Sequence, residues 1–202
     1  MKNVEQIREM YPEGTLIELE EMKGEPQMPY GMKGTVRFVD DMGQIHMRWE
    51  NGSSLALSIE EDSFSKIDPP EKIFVLLVEP NKYPRMIEID DTLESMQKVV
   101  GGGIEEYMPF DDEIAIICND ESKYNGMLPN RAIYSDDKEM QDIIFGQLFV
   151  CYAPIESEKF MSLPEDLAKK YEEKFKNPER FFKKDNEIVA VPFKPKTKEH
   201  ER

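Results

Sequence analysis

Histidine and cysteine are scarce in this chain, two of each among 202 residues. Cys118 and Cys151 sit in apolar runs, where a free thiol packs as a small hydrophobe. No CxxC pair exists, and His46 and His200 are distant from both cysteines in sequence. The chain therefore lacks zinc-ligand spacing. No GxSxG occurs and no serine has a partner histidine pattern, so nucleophilic catalysis of that kind has no support. An enzyme is not expected, nor a metal or a cofactor. Long apolar runs are missing too: none approaches the roughly 18 residues of a membrane span. The opening MKNVEQIREMYPEG has no apolar segment of a secretion signal. A cytoplasmic protein without membrane contact is the expectation.

Positive charge is also in short supply. Lysine and arginine number 26 against 42 acids, a net charge of −16. The last twenty residues run the other way, with bases at Lys183, Lys184, Lys194, Lys196, Lys198 and Arg202 against four acids. The body before them carries 20 bases and 38 acids, a net −18. Such a body repels phosphates and anionic membranes at long range, so direct nucleic-acid binding is not expected. It can attract a basic protein partner, with imitation of DNA charge as the extreme form. Solubility alone is the plainer reading.

What is present divides into two modules and a tail: 1–68, 71–178 and 179–202. In the first, GTLIEL, GTVRFV and GQIHMRW read as short strands, the first two alternating in polarity, and SLALSI supplies a fourth. Glu50-Asn51-Gly52 marks a hairpin, because Asn-Gly accepts the positive φ of a type I′ turn. Four or five strands in so short a span, after a short N-terminal helix, predict a small, strongly bent SH3-like β-barrel. Asp68-Pro69-Pro70 makes a joint. The second module reads as α+β, with a mostly antiparallel sheet and two helices. KIFVLLVE is a buried strand, and residues 85–89 pair back onto it. Asp91-Thr92-Leu93-Glu94 starts a helix with Leu93, Met96, Val99 and Val100 on one face, ended by Gly101-Gly102-Gly103. Strands follow at about 104–110, 114–118, 131–134 and 146–152, while 136–144 reads as a short helix or a loop. Ser162-Leu163-Pro164-Glu165 opens a second helix to about residue 176. The tail reads as a flexible basic end with one docked strand, IVAVPF.

The patterns YPEGTLIELEEM and GMKGTVRFVDDMGQIHMRWENGSSLAL resemble a small SH3-like domain family of unknown function. VLLVEP, TLESMQKVVGGGIEEY, NDESKYNGMLPNRAIY and IIFGQLFVCYAP resemble a second α+β domain of unknown function. The resemblance covers roughly residues 11–176. It implies a Gram-positive bacterial setting, with phages and conjugative or integrative elements. It carries over no activity and no catalytic residues.

One segment, Asn119–Tyr134, holds more polar side chains than a turn needs. Lys123 and Arg131 are cations in an acidic chain, and Asn119, Asn125 and Asn130 both donate and accept. Arginine makes forked contacts with carboxylate or phosphate, and Tyr124 and Tyr134 can stack on a ring. With Gly102 and Glu105 from VGGGIEE, the expected ligand-binding set is Gly102, Glu105, Lys123, Tyr124, Asn130 and Arg131, for a small anionic, nucleotide-like ligand. The plainer alternative is an extended hairpin in which the asparagines serve turns and Arg131 pairs with Glu105 or Glu106. The glycine triplet is equally explained as a helix C-cap. Asp111-Asp112-Glu113 reads as a solvated turn; with Asp120 and Glu121 it could also supply oxygens to a hard cation. In the first module Trp49 and Tyr30, with Phe38, suggest a protein-interaction face, against Trp49 as core. Two functional expectations lead. One is a non-catalytic accessory protein of a mobile element or phage that holds the anionic ligand. The other is an acidic protein that binds a basic host protein. An enzyme using carboxylates in an unrecognised cleft is the third.

Overall fold

Antiparallel strands dominate both parts of the chain. The computed structural model describes residues 3–185 and 187–195, and the chain divides into two units, Met1–Pro69 and Pro70–Arg202. No helix among the described residues is long and apolar enough to cross a membrane.

The first unit opens with α1, Val4–Met10. Asn3 caps it by accepting the Glu5 N–H, while Gln6 accepts from the Asn3 N–H, satisfying donors that a helix start leaves open. Four strands follow: β1 Leu16–Glu21, β2 Lys33–Val39, β3 Ile45–Trp49 and β4 Ser63–Ile67, in the order β3-β2-β1-β4. The alternation seen in GTLIEL puts Ile17 and Leu19 inside, with Val36, Met47, Trp49 and Leu57. The sheet is open: among the described residues no ladder joins its edges β3 and β4, so the expected closed barrel does not form. SLALSI is the cause, since it gives only the single bridge Ile45–Leu57 instead of a strand. The fourth strand is instead Ser63–Ile67, which pairs with β1.

Trp49 sets the tightest constraint in this unit. It is 2% exposed, and its indole N–H donates to the Leu55 carbonyl at 2.8 Å. Gly34 is its cross-strand partner, and a Cβ built there would stand 2.6 Å from Trp49 Cε3. The second glycine of GMKGTV thus makes space for the indole.

In the second unit, β5 Lys72–Val78, β6 Arg85–Asp90, β7 Ile104–Tyr107, β8 Ile114–Asn119 and β11 Leu148–Tyr152 form one antiparallel sheet, ordered β6-β5-β11-β8-β7. The central strands β8 and β11 are buried on both faces, which is why IAIIC and LFVC are continuously apolar. One face packs Ala115, Ile117 and Phe149 against Met96 and Val100 of α2, Leu93–Val100. Thr92 caps α2 by accepting the Ser95 N–H, and Gly101 ends it at φ 78°. The other face packs Ile116, Leu148 and Val150 against Tyr171 and Phe175 at the end of α3, Glu165–Lys174, and against the hairpin of β9 Pro129–Tyr134 and β10 Met140–Phe145.

Three expectations are corrected here. Residues 136–144 are neither helix nor loop throughout, since β10 begins at Met140. Ser162 does not cap α3; its hydroxyl accepts the Phe74 N–H at 3.0 Å, and Pro164 occupies the cap without a side-chain bond. The tail pairs with itself: β12 Glu179–Lys184 and β13 Glu187–Pro192 form a hairpin. Its alternation explains this, because Phe182 pairs with Val189 and Phe181 with Ala190. Lys196, Lys198, His200 and Arg202 lie outside the described residues.

Gly34→Ala should destabilise the first unit by on the order of 1–3 kcal/mol, the range for overpacking a filled core. Urea unfolding followed by Trp49 fluorescence measures it, and an unchanged midpoint would contradict the packing described.

Candidate functional site

Among the described residues the buried polar side chains are Asn119, Ser122, Asn130 and Arg131, at 2%, 5%, 1% and 2% exposure. All four fall within the segment singled out from the sequence. Burying such groups is costly unless every donor finds a partner, so their partners decide what the segment does.

Arg131 enters from β9 and is held by oxygens. Its Nε donates to the Phe175 carbonyl at 3.0 Å, Nη1 to the Asn130 carbonyl at 3.1 Å and to Asn130 Oδ1 at 2.8 Å, and Nη2 to the Lys82 carbonyl at 2.9 Å. Asn130 Nδ2 in turn donates to the carbonyls of Val78 and Gly146 at 2.8 and 2.7 Å. The pair therefore ties β9 to the ends of β5 and α3, the β5–β6 turn and the β10–β11 turn. Glu179, at the start of β12, accepts the Ala132 N–H at 2.6 Å. Burial lowers the Arg131 pKa to about 10 against the opposing pull of Glu179. Burial likewise raises Glu179, against its bond from Ala132 and the nearby Arg131 charge. Both shifts disfavour the charged forms, so desolvation outweighs the attraction between them.

Lys123 is half exposed and grips both oxygens of Asp142, at 2.7 and 2.8 Å. That bond raises its pKa. Neither Glu105 nor Glu106 partners Arg131, and both are exposed on β7. Tyr124 is 91% exposed. The glycine triplet does meet this segment: a Cβ on Gly102, whose φ is 156°, would collide with Asn119 Nδ2, and one on Gly103 would stand 2.5 Å from Asp120 Oδ2. Asn119 Oδ1 accepts the Glu121 N–H at 2.9 Å and Asn125 Nδ2 at 3.4 Å, shaping the loop after β8. VGGG therefore gives Asn119 and Asp120 room. The structure gathers Gly102, Glu105 and Lys123 around this loop, and no hydrogen bond or ion pair among the described residues joins them to Asn130 or Arg131.

The acid run 111–113 is likewise anchored. Asp112 accepts from Lys170 and from the Tyr171 hydroxyl, the latter at 2.8 Å, and the Lys170 bond chiefly lowers its pKa. Glu113 accepts from the Tyr152 hydroxyl and the Ile155 N–H, both at 3.0 Å. No group of three or more His, Cys, Asp or Glu among the described residues could hold a metal ion. Burial pushes the thiols of Cys118 and Cys151 up to about 11 and about 12, so both stay protonated and inert at neutral pH. In the first unit Trp49 is core, Tyr30 is 78% exposed, and Phe38 stacks on His46 at 4.4 Å. The three do not form one aromatic face.

Sequence reasoning missed a cleft of about 420 Å³ beside α3, lined by Phe110, Asp111, Tyr134, Asp136, Lys170 and Lys174 among others. The i, i+4 spacing of Lys170 and Lys174 was its one legible trace. Lys170 is paired with Asp112, and Lys174 lies 4.1 Å over the Phe110 ring, with Asp111 and Asp136 lining the same cleft.

Residues 72–176 match the family model described as Domain of unknown function (DUF3846), and residues 1–67 match the one described as Domain of unknown function (DUF4314). The expected tandem of two domains of unknown function is thereby shown. No curated protein and no solved structure matches the chain.

Arg131→Ala should cost the second unit roughly 3 kcal/mol or more, because it orphans buried carbonyls and leaves Glu179 without its cation. Arg131→Lys should also destabilise, since an ammonium cannot span the same acceptors. Thermal unfolding checks both, and an unchanged melting point for Arg131→Ala would refute the structural role. Glu179 supplies a pH test. Folding favours its neutral form, a contribution fully present below its ordinary value of 4.5 and lost as pH rises through the raised one. Between about pH 4 and about pH 7 the wild type should therefore lose stability relative to Glu179→Gln. A gain across that window would reverse the sign.

Proposed function

We propose, for a chain that belongs to the family described as Domain of unknown function (DUF3846), a role as a non-catalytic acidic protein that binds a basic protein surface. One observation carries this reading. Every cation and amide expected to receive an anionic ligand is engaged inside the protein: Arg131 and Asn130 on backbone carbonyls, Lys123 on Asp142. Carboxylates of the same region point outward. Glu105, Glu106, Asp120 and Glu121 are exposed, and among the described residues none of them is in an ion pair. An anion approaching the body meets a net −18, and at the β8–β9 segment the buried arginine fork is already filled by carbonyls. A basic surface meets complementary charge, which steers encounter and suppresses wrong partners.

Both thiols are raised by burial, and carboxylate chemistry would need a raised pKa in a cleft. The raised carboxylate, Glu179, is bound to Ala132 in the packing of β12 against β9. The phage or mobile-element setting and the cytoplasmic location, both expected from the sequence, belong to this same proposal.

Titration calorimetry with an arginine-rich peptide tests the reading. Affinity should fall at least about tenfold between about 0.05 M and about 0.3 M salt, because exposed charges are screened over shorter distances as salt rises. A polyglutamate peptide should not bind. Salt-insensitive binding of the basic peptide, or none at all, would overturn the proposal.

A further inference from the structure

The loop between β8 and β9 is fixed from below and presents an aromatic above. Beneath, Asn119 Oδ1 holds the Glu121 N–H and the Asn125 amide. The N–H groups of Tyr124 and Asn125 donate to the Glu121 carbonyl at 2.8 and 3.0 Å, and the Gly146 N–H donates to the Leu128 carbonyl at 2.8 Å. Met127 packs against the backbone of Gly101 and Gly146, while Lys123 is tied to Asp142. Above, Tyr124 is 91% exposed and Leu128 61% exposed. Around them stand Asp120 and Glu121, and β7 adjoins through the Asp120 N–H to the Gly103 carbonyl at 3.2 Å, bringing exposed Glu105.

Folding gains little from a tyrosine left almost wholly in water, since burial of apolar area is what rewards an aromatic. The internal bonds explain Asn119, Asn125, Met127 and Lys123; they leave Tyr124 and Leu128 unexplained. A pinned loop carrying an aromatic side chain with few rotamers loses little entropy on binding, and tyrosine is enriched where interfaces concentrate their energy. The surrounding charge selects the occupant. With Lys123 neutralised by Asp142, the rim is anionic, and a guanidinium both stacks on an aromatic face and forks onto carboxylates.

We propose that this loop docks an arginine-bearing segment of a protein partner. A guanidinium lies over Tyr124, Asp120 and Glu121 pair with it or with its neighbour, and Leu128 takes the aliphatic stem. This placement rests on the acidic-interaction reading and gives that reading its surface.

Fluorescence anisotropy with labelled nona-arginine and nona-lysine peptides tests it on the full chain. Wild type should prefer nona-arginine. Tyr124→Ala should weaken that binding at least about tenfold, whereas Tyr124→Phe should keep most of it, since the ring face is retained. Asp120→Asn with Glu121→Gln should weaken binding and flatten its salt dependence. All these side chains are exposed, so melting temperatures should not move. Wild-type binding left intact by both Tyr124→Ala and the double variant would overturn the docking site while the acidic-interaction reading stands. Equal affinity for the two peptides would overturn the guanidinium assignment. Absence of binding to either peptide by wild type would overturn this placement together with the reading beneath it.

Discussion

A single buried guanidinium holds the second unit in register. Arg131 is 2% exposed, and its donors reach carbonyls on β9 itself, in the β5–β6 turn and at the end of α3. A planar fork with five fixed N–H groups is suited to joining acceptors that converge from different directions. The cost of taking that charge out of water is offset only while all of those acceptors stay in place. The arrangement makes the ends of several elements mutually dependent. Asn130 extends it, since its amide bonds the last residue of β5 and the turn before β11, and its own oxygen receives Arg131. Glu179 brings the terminal hairpin onto the same strand.

This inward use of polar groups determines what the surface can offer. A chain with 26 bases has few cations to assign, and near the β8–β9 segment the structure commits them to carbonyls or to Asp142. The exterior there presents carboxylates, one tyrosine and one leucine beside a lysine already paired with Asp142. Packing and electrostatics thus act together: the segment that locks the fold from inside is also the one whose outer residues remain free to meet a partner.

Much of the architecture was legible. Unbroken apolar runs announced β8 and β11 because strands covered on both faces have no polar side, and α2 carried its own boundaries in Thr92 and Gly101. Other parts depended on contacts distant in sequence. β10 was obscured because Gln141 and Asp142 break its alternation and its pairing with β9 shifts register. SLALSI looked like a strand, yet only Leu57 finds a bridging partner. Arg131 stood out in the sequence as a candidate ligand contact, but an arginine reads the same whether it faces a ligand or a carbonyl. Two of its acceptors lie 44 and 49 residues away, in Phe175 and Lys82, and no local pattern reveals them. The same holds for Trp49, whose burial depends on the gap left by Gly34 across the sheet. Tyr124 differs in kind: its exposure follows from the loop being tied down beneath it, and sequence shows the residue without the tether.

The most direct measurement of the central claim is the NMR signal of the Arg131 Nε–H in labelled protein. A guanidinium locked onto the Phe175 carbonyl should show a sharp, slowly exchanging resonance that does not shift when phosphate or nucleotide is added. Rapid exchange with water, or a shift that saturates with added nucleotide, would mean that Arg131 is open to ligand and would contradict the structural lock.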